Sequence, residues 1–182
     1  MVQHFETSQW VPFPVELVFA FFANPHNLPP LMPPELKARI EDMRLKPPPS
    51  RPVAGDPARR FQSLAAGVGS EILVSFKPIG WLPRVSWTAR IVEFQWNSHF
   101  ADEMARGPFK TFRHRHEIVS EPAGGEEGTR VTDAIDFEMP AGLLNALASG
   151  RVWKQLQDSF AFRQKRLAEI LAIASRQPAR RT

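Results

Sequence analysis

Four side chains in the C-terminal two-thirds of this 182-residue chain have types and spacings that could do chemistry: Asp102, His114, His116 and Asp133. In the segment Phe109–Val119 a two-residue period puts Phe112, His114, His116 and Ile118 on one side and Thr111, Arg113, Arg115 and Glu117 on the other. A β-strand sends successive side chains to opposite faces, so the apolar ends mark the histidine side as inward. The same rule turns Asp133 inward with Thr129, Val131, Ile135, Phe137 and Met139, and Asp102 inward with Ser98 and Phe100. The four are therefore expected to meet in one interior polar cluster. Buried imidazoles and carboxylates need partners, because each is costly when unpaired in an apolar setting. Three chemistries fit: a satisfied network at the polar end of a ligand site, a His–Asp acid–base pair, or a 2-His-1-carboxylate metal site. The first is preferred, since His at i and i+2 on a strand is a common spacing; no metal and no cofactor are expected.

The rest of the sequence removes other classes. There is no GxGxxG, GxxxxGK[ST], GxSxG or HExxH pattern. Cysteine is absent, which excludes disulfides, thiolate metal sites and a thiol nucleophile, and fits a reducing, cytoplasmic compartment. The pI of 10.0 points to nucleic acid at first sight, but the net charge is only +4 and Arg176, Arg180 and Arg181 supply three of those charges. Without a Lys/Arg stripe interleaved with aromatics, no nucleic-acid partner is expected. No apolar run approaches the ~20 residues of a membrane span, and Met1–Glu6 does not read as a leader. His4, His26 and His99 stand alone and read as surface or loop residues, while Trp10, Phe13, Phe19, Phe21 and Phe22 read as core.

The elements that must position the cluster follow from periodicity. His4–Val11 reads as a first strand, and a short buried helix starts at Pro14 and ends at Asn24-Pro25, with at most one more helical turn before Pro33. A second strand is expected within 35–46. Ten of the 18 prolines lie between Pro25 and Pro57, and 47–66 reads as a Pro-rich insertion whose Arg59–Ala66 stretch could hold a helical turn. Strands follow from Val68, over Val85–Ile91, over Phe94–Met104, over Phe109–Val119 and over Thr129–Met139, with turns at Pro78–Gly80 and Gly107-Pro108 and a glycine-containing loop over Glu121–Gly128. A long helix is expected over 143–174, its apolar positions three and four apart, with Gly150 as a candidate kink. The chain thus reads as one α+β domain over 1–175 with a basic tail, 176–182. A curved antiparallel sheet of about six to seven strands against one long helix leaves space between them, and an enclosed apolar cavity of a few hundred Å³ is expected there.

The order of elements and several local patterns resemble the START-like superfamily, also called SRPBCC or helix-grip proteins, which includes polyketide cyclase/dehydrases. The resemblance spans nearly the whole chain. It rests on Phe5 with Ser8-Gln-Trp-Val-Pro12, on Pro14 to Pro25, on Leu31-Met-Pro-Pro34, on Phe100-Ala-Asp102 and Gly107-Pro-Phe109, on His114-Arg-His116, and on Gly128-Thr129 with Asp133 before Pro140-Ala-Gly142. Only the longer Pro-rich stretch 47–66 departs from it. The resemblance implies a helix-grip fold and a cavity for lipids, quinones or polyketide-like molecules. The expected ligand-binding residues are Phe76, Trp87, Phe100, Phe112, His114, His116, Phe137 and Phe160. The leading expectation is a non-catalytic binder of a small apolar or amphipathic ligand. The alternatives are an aromatase/cyclase or dehydratase using His114 or His116 with Asp133 or Asp102, and an interaction module with a packed interior.

Overall fold

The computed structural model describes residues 1–52, 64–78, 83–141 and 145–175, with backbone alone at 145–149 and 174. The basic tail, residues 142–144, most of the Arg59–Ala66 stretch and part of the Pro78–Gly80 turn lie outside the described residues.

Seven strands form one antiparallel sheet: β1 (Gln3–Val11), β2 (Arg39–Arg44), β3 (Glu71–Phe76), β4 (Val85–Gln95), β5 (His99–Arg106), β6 (Thr111–Ser120) and β7 (Thr129–Glu138). Their order is β1-β7-β6-β5-β4-β3-β2, so the meander β2 to β7 is closed by the first strand, which pairs with the last. Helix α1 (Val15–Ala23) follows β1, three 3-10 turns cover Pro25–Asn27, Pro29–Leu31 and Pro34–Leu36, and helix α2 (Asn145–Ala174) ends the fold. At 1.5 Å per residue its 30 residues reach about 45 Å.

Two boundaries differ from expectation. Phe94 and Gln95 end β4 rather than begin the next strand, because Trp96–Ser98 make the turn, with Asn97 at a positive φ of 56°. The second strand starts only at Arg39, since Pro33-Pro34 commits the residues before it to a 3-10 turn and Lys37 takes the left-handed conformation (φ 46°). Helix α2 runs through Gly150 without a break. The β6–β7 hairpin turns at Gly124 and Gly125, both at positive φ, as a two-residue turn matching strand twist requires.

Helix α2 is anchored by its second half. Phe160, Arg163, Leu167 and Leu171 are buried, three to four residues apart. Phe5 of β1 packs on Phe160 and Trp153 at ring distances of 5.3 and 5.5 Å. The Gln9 side chain donates to the Gln164 carbonyl (2.7 Å), and the Gln164 side chain donates to Thr7 Oγ1 (2.9 Å). At the other end α1 inserts Phe19, fully buried, against Phe94, Trp96 and Phe100. Two apolar clusters result, one around α1 and one around Phe5, Phe112, Phe137 and Phe160.

The root of the Pro-rich insertion is pinned. Gly67 N donates to Lys46 O (2.9 Å), Ala66 N donates to Ala23 O (3.0 Å), and the Trp96 indole donates to Pro49 O (2.7 Å) with the Arg51 guanidinium 4.4 Å above its ring. Toward the opposite edge of the sheet Gly128 lies under the Trp10 ring, which donates to Glu121 O at 2.8 Å; a Cβ there would come within 2.3 Å of Trp10 Cζ2. Gly128→Ala is therefore expected to destabilise by roughly 1–3 kcal/mol, read as a lower urea midpoint with unchanged slope.

Candidate functional site

The sheet register brings the four polar residues together. Asp102 on β5 pairs across to His114 on β6, and Phe100 pairs across to His116. His116 in turn faces Asp133 of β7, and His114 faces Ile135. All four side chains stand on the concave face, as the alternation requires.

Asp133 Oδ1 is the centre of the network. His114 Nε2 donates to it at 2.9 Å, Arg163 Nη1 donates to it at 3.0 Å, and His116 Nδ1 lies 2.6 Å away. The last contact is off the line of a straight hydrogen bond, so His116 Nδ1 has an anionic neighbour but no formed hydrogen bond. Arg163 is itself buried, its guanidinium 4.8 Å over the Phe160 ring and 5.7 Å from that of Phe22. The two imidazoles lie 3.9 Å apart, and His116 stacks on Phe100 at 4.4 Å.

Electrostatics follows from this packing. Burial, then the neighbouring His116, pushes His114 down to about 4 in spite of Asp133. His116 is also pushed down, chiefly by burial. Burial alone would raise Asp133, but Arg163 and the two imidazoles outweigh it and hold the carboxyl well below its usual range. The network at neutral pH is therefore one ion pair, Asp133⁻ with Arg163⁺, and two neutral histidines. An ionised carboxylate can only accept, so His114 carries its proton on Nε2, and the anion beside His116 Nδ1 favours the proton there. The lone pairs are left on His114 Nδ1 and His116 Nε2.

Asp102 is different. No hydrogen bond or ion pair from any other described residue reaches it, and burial raises its carboxyl. It faces a cavity of about 710 Å³ between the sheet, α1 and α2, whose wall also holds His114, His116 and Arg163. Phe76, Trp87, Phe100, Phe112 and Phe160 stand on that wall. Phe137 does not: it is fully buried in the cluster around Phe5, behind Phe112 and Phe109. The cavity is not enclosed, because the solvent-exposed Arg151, Lys154 and Asp158 of α2 line one side of it. His4 is exposed and bonded to Asp136, His26 is exposed, and His99 contacts Ser98 and Glu93 away from the cluster.

Arg163 is the functional residue that strand periodicity misses. Its signal was available: it interrupts the apolar stripe Leu156, Phe160, Leu167, Leu171, and a charge within a buried stripe implies an interior counter-charge.

Asp102, His114 and His116 each bring one donor atom within 4.8 Å of the others, the only such group of three among the described residues. The donor set is the 2-His-1-carboxylate type, but a dication there would share the pocket with Arg163, which adds repulsion.

Residues 11–161 match the family described as polyketide cyclase / dehydrase and lipid transport. The chain belongs to that family. Among curated proteins, none matches it in sequence. Solved structures similar to this family member include TTHA0849 from Thermus thermophilus (TM-score 0.58, 20% identity, covering 95% of this chain and 99% of the other). The Zhui aromatase/cyclase from Streptomyces sp. R1128 superposes with a TM-score of 0.66 at 15% identity, covering 97% of both chains. The ginseng major latex-like protein 151 from Panax ginseng does so with 0.57 at 11%, covering 92% and 96%. At these identities the likeness is one of fold, the helix-grip arrangement of a long C-terminal helix held by a curved sheet. No helix among the described residues is long and apolar enough to cross a membrane.

Proposed function

We propose that this family member binds a small apolar or amphipathic molecule in its cavity, with the aromatic wall holding the ring or chain and the Asp102–His114–His116 end holding a polar group. The observation that carries this reading is an apolar space of about 710 Å³ that ends at the Asp102 carboxyl, which no other described residue pairs. Cavities of this size and lining are the usual ligand sites of globular proteins, and buried polar groups without protein partners await one. The Asp133–Arg163 pair is assigned to holding the two imidazoles in place, not to the ligand.

Titration with the neutral fluorophore N-phenyl-1-naphthylamine tests this. Saturable binding is expected, with roughly tenfold weaker binding in Ala89→Phe, where a ring replaces a methyl group on the cavity wall of β4. Equal binding by parent and variant would place the fluorophore elsewhere and remove the reading.

A second reading, acid–base catalysis of a cyclisation or dehydration, draws on one observation: Asp102, a carboxyl raised by burial, beside a neutral His114 with a free lone pair. It requires product formation from a β-hydroxy carbonyl compound by the parent and its loss in His114→Gln. Binding without turnover supports the first reading.

A further inference from the structure

Two histidines at i and i+2 on a strand are by themselves a weak metal signal. The fold adds a third ligand and a shared anchor. His114 and His116 stand on one face of β6, Asp102 of β5 pairs directly across from His114, and one donor atom of each of the three lies within 4.8 Å of those of the other two. Two bonds of about 2.1 Å at a tetrahedral angle place donor atoms roughly 3.4 Å apart, so the cluster has at most roughly 1.4 Å to close. Asp102 is free to close it, since no other described residue bonds its carboxyl.

The anchor is Asp133, on the other side of β6 and in register with His116. Its Oδ1 accepts the Nε2–H of His114 at 2.9 Å and lies 2.6 Å from His116 Nδ1. An imidazole whose one nitrogen faces a carboxylate offers the lone pair of the other, and this is how histidine ligands are oriented and made more basic in protein metal sites. Here a single carboxylate serves both rings. The rings are neutral at neutral pH, as ligands must be.

Arg163 borders the same cavity and gives one N–H to Asp133 at 3.0 Å. Its charge is answered by that carboxylate, so the anion left for a dication is Asp102, and the loaded cluster would carry one net positive charge. The residual repulsion from Arg163 weakens binding without removing a donor. Two nitrogens and one carboxylate suit a borderline ion of the zinc type; Mg²⁺ and Ca²⁺ take oxygen ligands.

We propose that Asp102, His114 and His116 form a binding site for a divalent transition ion of the zinc type at the polar end of the cavity, with Asp133 positioning both imidazoles. Three protein ligands leave a coordination position for water or for an oxygen of a molecule in the cavity. This goes beyond the cavity-binding reading and does not depend on it.

Co²⁺, a coloured stand-in for Zn²⁺, tests the site in the full chain after treatment with EDTA and its removal. One equivalent is expected to bind with a Kd of roughly 10 μM or tighter, giving visible absorption bands that Zn²⁺ bleaches and Mg²⁺ does not. Asp102→Asn keeps the volume and leaves no described residue unpaired, so it should melt with the metal-free parent yet bind Co²⁺ at least tenfold more weakly. His114→Gln, whose amide can still donate to Asp133, should weaken binding as much. His4→Gln removes the exposed imidazole beside Glu6 and Asp136, a competing surface donor set, and should bind as the parent does. Absence of the bands, parent-like binding in Asp102→Asn or His114→Gln, or loss of binding in His4→Gln would each overturn the metal site while leaving fluorophore binding, and so the cavity reading, in place. Co²⁺ binding without fluorophore binding would remove the cavity reading alone and uphold the metal site.

Discussion

Asp133→Ala is expected to destabilise the protein by about 3–5 kcal/mol, because it removes one partner of a buried ion pair and strands the other. Arg163 would keep its charge between Phe22 and Phe160 without the carboxylate it is hydrogen-bonded to, and His114 would lose the acceptor for its Nε2–H. For a chain of this length each kcal/mol moves the melting temperature by roughly 2–4 °C, so a drop on the order of 10 °C is expected in a thermal scan. Asp133→Asn should be nearly as damaging: the amide keeps the shape but not the charge that Arg163 needs. The double change Asp133→Ala with Arg163→Met should recover much of the loss, since it removes both charges and leaves an apolar side chain on the apolar stripe of α2. A single variant melting with the parent would show that Asp133 does not organise this cluster.

Stability is expected to fall on acidification, by an amount on the order of 3 kcal/mol between about pH 6.5 and 4, from His114 alone. In the unfolded chain the imidazole binds its proton near pH 6.5, and in the fold only near 4, so between these values the unfolded state holds the extra proton. The stabilising contribution is present above 6.5 and is lost as the pH drops through that window. His116, also lowered, adds in the same direction, and Asp133, held low by Arg163, adds a further loss at more acid pH. Asp102 opposes them: its raised carboxyl takes up a proton more readily folded than unfolded, which favours the fold as the pH falls. Urea midpoints measured across this range in the parent and in His114→Gln check the sign. The variant should show a flatter profile, and a parent whose midpoint stays level or climbs toward pH 4 would contradict the assignment of a neutral, buried His114.

Much of this was legible in the chain because strands repeat every two residues. The alternation Phe112, His114, His116, Ile118 decides which face of β6 is inward, and Val131, Asp133, Ile135 decides it for β7. A curved antiparallel sheet of about six to seven strands with a long C-terminal helix followed from such patterns and from turn residues such as Gly124-Gly125. Boundaries were less legible where proline or a positive φ outside glycine ends an element, as at Lys37 and Asn97. Periodicity also assigns a face without assigning a depth. Phe112 and Phe137 are both inward and cross-strand partners, yet one borders the cavity and the other is sealed in the core, because only the seat of α2 decides which part of the sheet is covered.

The division of labour between the two aspartates is likewise a tertiary fact. In sequence, Asp102 and Asp133 are equivalent inward carboxylates. The fold places Arg163 of α2, thirty residues further on, against Asp133 and leaves Asp102 facing the cavity without a hydrogen bond or ion pair from any other described residue. That difference sets one as a fixed anion holding two neutral imidazoles and the other as a carboxyl raised by burial. The sequence alone determined which residues could meet, through local backbone geometry. Which of them are satisfied by other described residues and which face the cavity was decided by where a distant helix delivers one buried positive charge.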